Sequence, residues 1–176
     1  MNRDELGAAL REHAYLEGDF VLRSGRRSRY YLDKYRFETR PDLLGPLGEL
    51  IAATVREHEP DAVRIAGPEL GAVALAASAS LAGSLPFLIV RKEAKGYGTE
   101  RRIEGEFDAG EEVCLVEDVV TSGGAAEQAV GALREAGLVC RTAICVVDRE
   151  EGGADALARQ AVRLVPIFRA SDILPG

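Results

Sequence analysis

An α/β domain with a mainly parallel central sheet flanked by helices is the fold class this sequence predicts, and two observations carry it. From residue 61 onward, apolar periodicity switches repeatedly between strand and helix patterns. Buried runs separated by helices also imply right-handed crossovers between parallel strands. With 176 residues, 47% of them hydrophobic, the chain is long enough for one domain with one core.

Residues 2–14 read as a helix, "DFVLRSGRRSRYYLDKYRF" (19–37) as a hairpin-like stretch, and residues 41–58 as a second helix. These first 60 residues are expected to form a small N-terminal cap packed beside the α/β core of 61–176, within a single domain spanning 1–176. In the core, "AVRIAG" (62–67) is a strand, "ELGAVALAASASLAG" (69–83) a small-residue helix and "LPFLIV" (85–90) the next strand. "EVCLVED" (112–118) is a strand, and "GAAEQAVGALREAG" (124–137) a helix closed by its terminal glycine. "VCRTAICVVD" (139–148) gives another strand, followed by a short helix near 153–160 and a last strand around "AVRLVPIF" (161–168). Between these lies "RKEAKGYGTERRIEGEFDAGEE" (91–112), polar and far longer than an ordinary connection of ~4–6 residues, so that about 91–111 reads as either a mobile functional lid or a disordered segment. Ligands are expected at the carboxyl ends of the strands.

A formal net charge of −7 argues against general affinity for nucleic acid or for an anionic membrane, so an anionic ligand needs a local site. No apolar stretch approaches the ~20 residues that span a bilayer, and "MNRDELGAAL" lacks a signal-peptide core, so a cytoplasmic location is expected. Cys114, Cys140 and Cys145 lie in apolar runs without CxxC spacing, which favours buried reduced thiols over zinc. His13 and His58 sit on helices with no second ligand at metal spacing and read as surface residues.

The chemistry concentrates in "EDVVTSGGA" (117–125). Gly123 and Gly124 lie where a strand turns into a helix, so backbone N–H groups there can point at a phosphate with the helix dipole behind them. Neither GxxxxGK[ST] nor GxGxxG is present, which turns the reading away from nucleoside triphosphates and dinucleotides. Glu117 and Asp118 would repel a polyphosphate, but carboxylates accept hydrogen bonds from vicinal sugar hydroxyls. A ligand with a ribose and a phosphate at one end satisfies both halves. The bland alternative is that Asp118 and Thr121 merely cap the helix, a role that stabilises by ~0.5–2 kcal/mol.

Four apolar residues, two acids, two apolar residues and then Thr-Ser-Gly resemble the signature of type I phosphoribosyltransferases, which bind 5-phosphoribosyl 1-pyrophosphate (PRPP). "GDFVLRSGRRSRYYLDKY" (18–35), "RKEAKGYG" (91–98) and "VVDREEGG" (146–153) narrow the resemblance to the orotate phosphoribosyltransferase family. That resemblance implies that Glu117 and Asp118 bind the ribose hydroxyls, and that Val119, Val120, Thr121, Ser122, Gly123, Gly124 and Ala125 hold the 5′-phosphate loop. It assigns Arg91, Lys92, Lys95 and Tyr97 to PRPP, with Lys95 and Asp118 catalytic. Thr121, Arg149 and Tyr31 would meet orotate, Leu32 flanking it beside Tyr31; the forked guanidinium of Arg149 suits a carboxylate. Arg149 could instead form a surface ion pair with Glu150 or Glu151, worth ~0–1 kcal/mol.

The implied reaction is Mg²⁺-assisted, with the metal on substrate oxygens and water rather than on a protein cage, in a homodimer whose loops close on the neighbouring site. Four positions depart from the bacterial pattern: Arg23 replaces a lysine, Tyr97 a histidine, and Glu69-Leu70 a Tyr-Lys pair. Two rival readings remain: a type I enzyme for a purine or uracil, and a non-catalytic PRPP sensor. The acidic chain has no spare length for a helix-turn-helix domain that a DNA-reading sensor would need.

Overall fold

The structure, a computed structural model, describes residues 1–21, 25, 27–93 and 102–173. In chain order the elements are α1 (Arg3–Ala14), β1 (Tyr15–Val21), β2 (Arg27–Leu32), α2 (Tyr35–Glu38), α3 (Pro41–His58), β3 (Arg64–Pro68), α4 (Gly71–Gly83) and β4 (Phe87–Val90). They continue with β5 (Ile103–Glu104), β6 (Val113–Val120), α5 (Gly124–Glu135), β7 (Thr142–Asp148), α6 (Gly153–Arg159), β8 (Arg163–Arg169) and α7 (Ala170–Ile173).

The sheet runs β5-β4-β3-β6-β7-β8, and only the β4–β5 pairing is antiparallel. β3 precedes both its neighbours in sequence, so the direction of winding reverses between β3 and β6. In an open α/β sheet that reversal opens a crevice beyond the carboxyl ends of the two strands.

Side chains alternate across β6 as the strand period requires. Cys114 and Val116 join the core formed with α1, α3 and α4, through Leu10, Leu47, Ile51 and Leu75. Val113 and Leu115 join the core formed with α5 and α6, through Val130, Leu133 and Leu157. The N-terminal helices therefore share one apolar cluster with the sheet.

Local chemistry explains the element ends. Asn2 caps α1 by accepting from the Glu5 backbone N–H at 2.9 Å, and Glu5 returns a carboxylate to the Asn2 N–H at 2.9 Å. Pro41 opens α3 in its first turn, where its missing N–H costs no intrahelical bond.

Several expectations need correction. The hairpin begins at Tyr15 rather than Asp19, and its expected tail, residues 35–37, is helical in α2. Within the long polar segment, Ile103 and Glu104 form an edge strand on β4, and a short α7 follows β8. Leu32 is buried in the core and does not stand beside Tyr31 as a flanking wall. The three cysteines are free and buried, and burial holds the Cys114 and Cys145 thiols well above their ordinary range. Among the described residues, no helix is long and apolar enough to cross a membrane.

Candidate active site

Glu117 and Asp118 lie near the carboxyl end of β6 and, as neighbours on a strand, project to opposite faces of the sheet. Glu117 lines a cavity of about 380 Å³ together with Val119, Val120, Thr121, Ser122, Gly123, Gly124, Ala125, Ala126 and Gln128. Glu117 is 6% exposed, and its Oε1 has no hydrogen-bond partner. Burial, reinforced by the neighbouring charge of Asp118, pushes its pKa up to about 8. Near neutral pH it can therefore both donate and accept a hydrogen bond.

Gly123 is the N-cap of α5 at φ 90°, a conformation that favours glycine, and no side chain caps the helix. Asp118 and Thr121 therefore do not have the capping role that was the alternative reading. The first-turn N–H groups of α5 lack intrahelical partners and open onto the cavity. The loop is held tightly against the start of α6: a Cβ on Gly123 would stand 3.1 Å from the Gly153 Cα.

On the other face, the Lys34 ammonium meets Asp118 Oδ2 at 2.5 Å, and the Val119 N–H donates to Asp118 Oδ1 at 2.5 Å. Gly71, the first residue of α4, admits this pair; a Cβ there would fall 1.9 Å from Asp118 Oδ2 and 2.9 Å from Lys34 Nζ. Partial burial pulls the Lys34 pKa down, but the hydrogen bond and charge of Asp118 outweigh it and the net shift is upward. Glu38, 4% exposed, completes the group. Burial first, then the charge of Asp118, push its carboxyl up to about 8, with Lys34 opposing.

At the end of β7, the Arg149 N–H donates to the Val120 carbonyl at 2.9 Å, so the arginine starts beside the acid-bearing strand. Asp148 orders the turn by accepting from the Glu150 N–H at 2.9 Å. Arg149 does reach Glu151, Nε to Oε1 at 3.1 Å, but with 7% of its side chain exposed this is no solvated surface pair. Its guanidinium lies 4.8 Å from the ring centre of Tyr30, which stacks in turn on Tyr15. Tyr31 is 41% exposed and packs on Phe20, with ring centres 5.6 Å apart.

Arg91 and Lys92 follow β4 directly. The Arg91 N–H donates to the Arg102 carbonyl at 2.7 Å, and the Lys92 N–H donates to Glu69 Oε1 at 2.7 Å. Leu70 beside it is 71% exposed. Lys95, Tyr97 and Arg23 lie outside the described residues.

Lys34, Glu38 and Tyr30 went unnoticed in the sequence. Lys34 immediately precedes the four-residue α2 and Glu38 ends it, an element too short for apolar periodicity to reveal, and Tyr30 is one of three nearby tyrosines, 30, 31 and 35, that could equally pack the cap.

A 2-1-3-4-5 order of parallel strands, with an acid pair and an uncapped glycine turn closing its third strand, defines a type I phosphoribosyltransferase. No protein-family model matches the chain. Orotate phosphoribosyltransferase of Methanocella arvoryzae is 47% identical over 157 residues, covering 89% of this chain and 88% of that protein. The crystal structure of orotate phosphoribosyltransferase from Mycobacterium tuberculosis superposes with a TM-score of 0.87 at 31% identity, over 98% of this chain and 99% of that one. A structure of the same bacterial enzyme in complex with PRPP gives a TM-score of 0.82 at 28% identity, covering 97% and 98%. The chain belongs to the orotate phosphoribosyltransferase family.

Proposed function

We propose that the cleft beyond β3, β4, β6 and β7 transfers the 5-phosphoribosyl group of PRPP to N1 of orotate, giving orotidine 5′-phosphate and pyrophosphate in pyrimidine biosynthesis. The observation that carries this reading is the cavity shared by the buried Glu117 and the uncapped turn at Gly123. One end suits a diol and the other an anion.

In this reading the first-turn amides of α5 hold the 5′-phosphate, and the ribose hydroxyls bond to Glu117 and Asp118. Because the Glu117 carboxyl is mostly protonated near neutral pH, it adds little charge to a site that must accept an anionic sugar. Asp118 also faces the positive charge that develops on the ribose as the C1–O bond breaks. The deprotonated orotate nitrogen is the nucleophile, so no covalent enzyme intermediate is required. Arg149 takes the orotate carboxylate in place of Glu151, and the Tyr30 ring keeps the guanidinium plane fixed during that exchange. Thr121 and Tyr31 complete the base site.

Arg91, Lys92 and Lys95, with Tyr97, form the loop that meets the leaving pyrophosphate. Among the described residues no three His, Cys, Asp or Glu side chains lie together as a metal cage. Mg²⁺ would be held mainly by substrate oxygens and water, and would supply charge neutralisation at the leaving group.

We further infer one cooperative folding unit over 1–176, a cytoplasmic location and a homodimer with shared sites. α4 supports the dimer: Leu70 and Leu81 are 71% and 85% exposed at its two ends. If loops are exchanged between subunits, mixing inactive Lys95→Ala and Asp118→Asn proteins restores part of the activity.

The reading is tested by following base consumption with PRPP and Mg²⁺, comparing orotate with adenine, hypoxanthine and uracil. Turnover of orotate alone is expected. Turnover of a purine alone would overturn the base assignment, and PRPP binding without turnover of any base would favour the sensor.

A further inference from the structure

We propose that Lys34 is a positioning residue for Asp118, holding the carboxylate in its sugar-binding orientation, and that the buried Glu38 one helical turn away is its second support. This inference rests on the phosphoribosyl-transfer reading above and adds to it two residues from the N-terminal region.

The geometry is specific. Lys34 immediately precedes α2, and the Glu38 N–H donates to the Lys34 carbonyl at 3.1 Å, so both side chains leave the same short turn. The Lys34 ammonium reaches Asp118 Oδ2 at 2.5 Å from a direction that Gly71 keeps clear. Oδ1 of the same carboxylate already accepts the Val119 N–H. Asp118 is thus gripped at both oxygens before any ligand arrives. Glu38 is buried beside this pair, where the charge of Asp118 helps to raise its pKa, and its Oε1 has no hydrogen-bond partner.

The charges around this point explain why two supports are needed. Glu38 faces Lys34 just before its own turn, Asp33 beside it and Asp118 on β6, while Lys34 in turn lies over the Tyr35 ring. One ammonium therefore serves two carboxyl groups on this face, those of Asp118 and Glu38. That balance holds while Glu38 and Glu117 keep their protons, which burial and the Asp118 charge favour up to about pH 8. Above that pH an ionised Glu38 repels Asp118 and competes for Lys34, so the carboxylate loses its fixed orientation. A rigid acceptor loses less rotamer freedom on meeting the ribose diol than a swinging one does.

The test is steady-state kinetics with PRPP, orotate and Mg²⁺, calorimetric titration with PRPP, and thermal melting of each variant. Lys34→Ala is expected to raise the KM for PRPP about tenfold, the loss of a charge-assisted contact, while the KM for orotate changes less than about twofold. Lys34→Arg should recover part of the affinity. Glu38→Ala should weaken PRPP binding, and Glu38→Gln, which keeps a donor, should recover most of it. The parent should lose PRPP affinity as pH rises through about 8. Glu38→Gln should lose less, and because Glu117 is present in both proteins the difference belongs to Glu38.

An unchanged PRPP KM in Lys34→Ala would overturn the proposal. So would equal increases in both KM values with a lowered melting temperature, which is the pattern of general packing damage. Identical pH profiles for parent and Glu38→Gln would remove Glu38 from it. Any of these beside an active parent sinks only this inference, whereas a parent that neither binds PRPP nor turns over orotate sinks the functional reading with it.

Discussion

Adjacent acids on β6 meet opposite surroundings, and the contrast teaches how one strand end can hold both a neutral and a charged carboxyl group. Glu117 looks toward α5, where its neighbours are apolar side chains and backbone amides, and burial raises its pKa to about 8. Asp118 looks toward α2 and α4, where a lysine pairs with it at 2.5 Å. The first acid is kept soft by desolvation, the second fixed by a counter-ion. A single pair of carboxylates on one face would repel each other and the anionic sugar. Splitting them across the sheet separates their environments, although they stand only one residue apart.

The largest effect expected lies outside both faces and separates binding from bond breaking. Lys95→Ala should lower kcat by ~10²–10³ while the KM values for PRPP and orotate move little. Equal turnover in variant and parent would leave the two faces as the whole machinery.

Next comes Gly71→Val on the Asp118 face. Its Cβ cannot coexist with the ion pair, so Asp118 must shift by more than an ångström, and the PRPP KM should rise by ~10². An unchanged KM would mean that Asp118 does not need its observed position.

Smaller is Arg149→Lys, which loses the forked donor and the stacking on Tyr30. The orotate KM should rise about tenfold with PRPP affinity retained. A matched loss of both substrates would tie Arg149 to the sugar instead.

The last change is read through stability, on the Glu117 face. The folded-state pKa of Glu117 lies above its ordinary value of 4.5, so its contribution to stability is complete below pH 4.5. It is lost as pH rises toward about 8, because the unfolded chain releases the proton first. Glu117→Gln cannot ionise there. Denaturant unfolding at pH 9 should find it more stable than the parent, by an amount of the order of a few kcal/mol, with the gap closing below pH 4.5. A parent whose stability is flat across that window would mean that Glu117 is charged when folded.

The sheet was legible in the sequence because its strands are continuous apolar runs, and α3 was read with its observed limits, 41 to 58, because the apolar stripe between them is long. β6 runs on through Val120, beyond the expected end at Asp118, because Val119 and Val120 keep pairing with Val147 and Asp148. β5 and α2 escaped notice for the same reason as each other: two and four residues are too few to carry a period, and tertiary contacts alone define them.

The site divides similarly. The glycine turn, the acid pair and Arg149 were visible because each is a local pattern that needs its residue types close together. Lys34 was not, since its meaning depends on a partner 84 residues away and on a glycine in a third segment. Nor could the order of residues say that Glu117 and Asp118 live in such different surroundings. Their alternation is implicit in a strand, but the desolvation on one side and the ammonium on the other come from the packing of α5, α2 and α4.

The most direct test of the grip on a phosphorylated pentose is competition against PRPP by ribose 5-phosphate and by 2-deoxyribose 5-phosphate, with the unmodified protein. If the carboxyl groups hold the diol while the α5 amides hold the phosphate, removal of the 2-hydroxyl should weaken inhibition at least about tenfold, because buried polar groups are left without partners. Equal inhibition by the two sugars would mean that neither Glu117 nor Asp118 holds the 2-hydroxyl and would contradict the account.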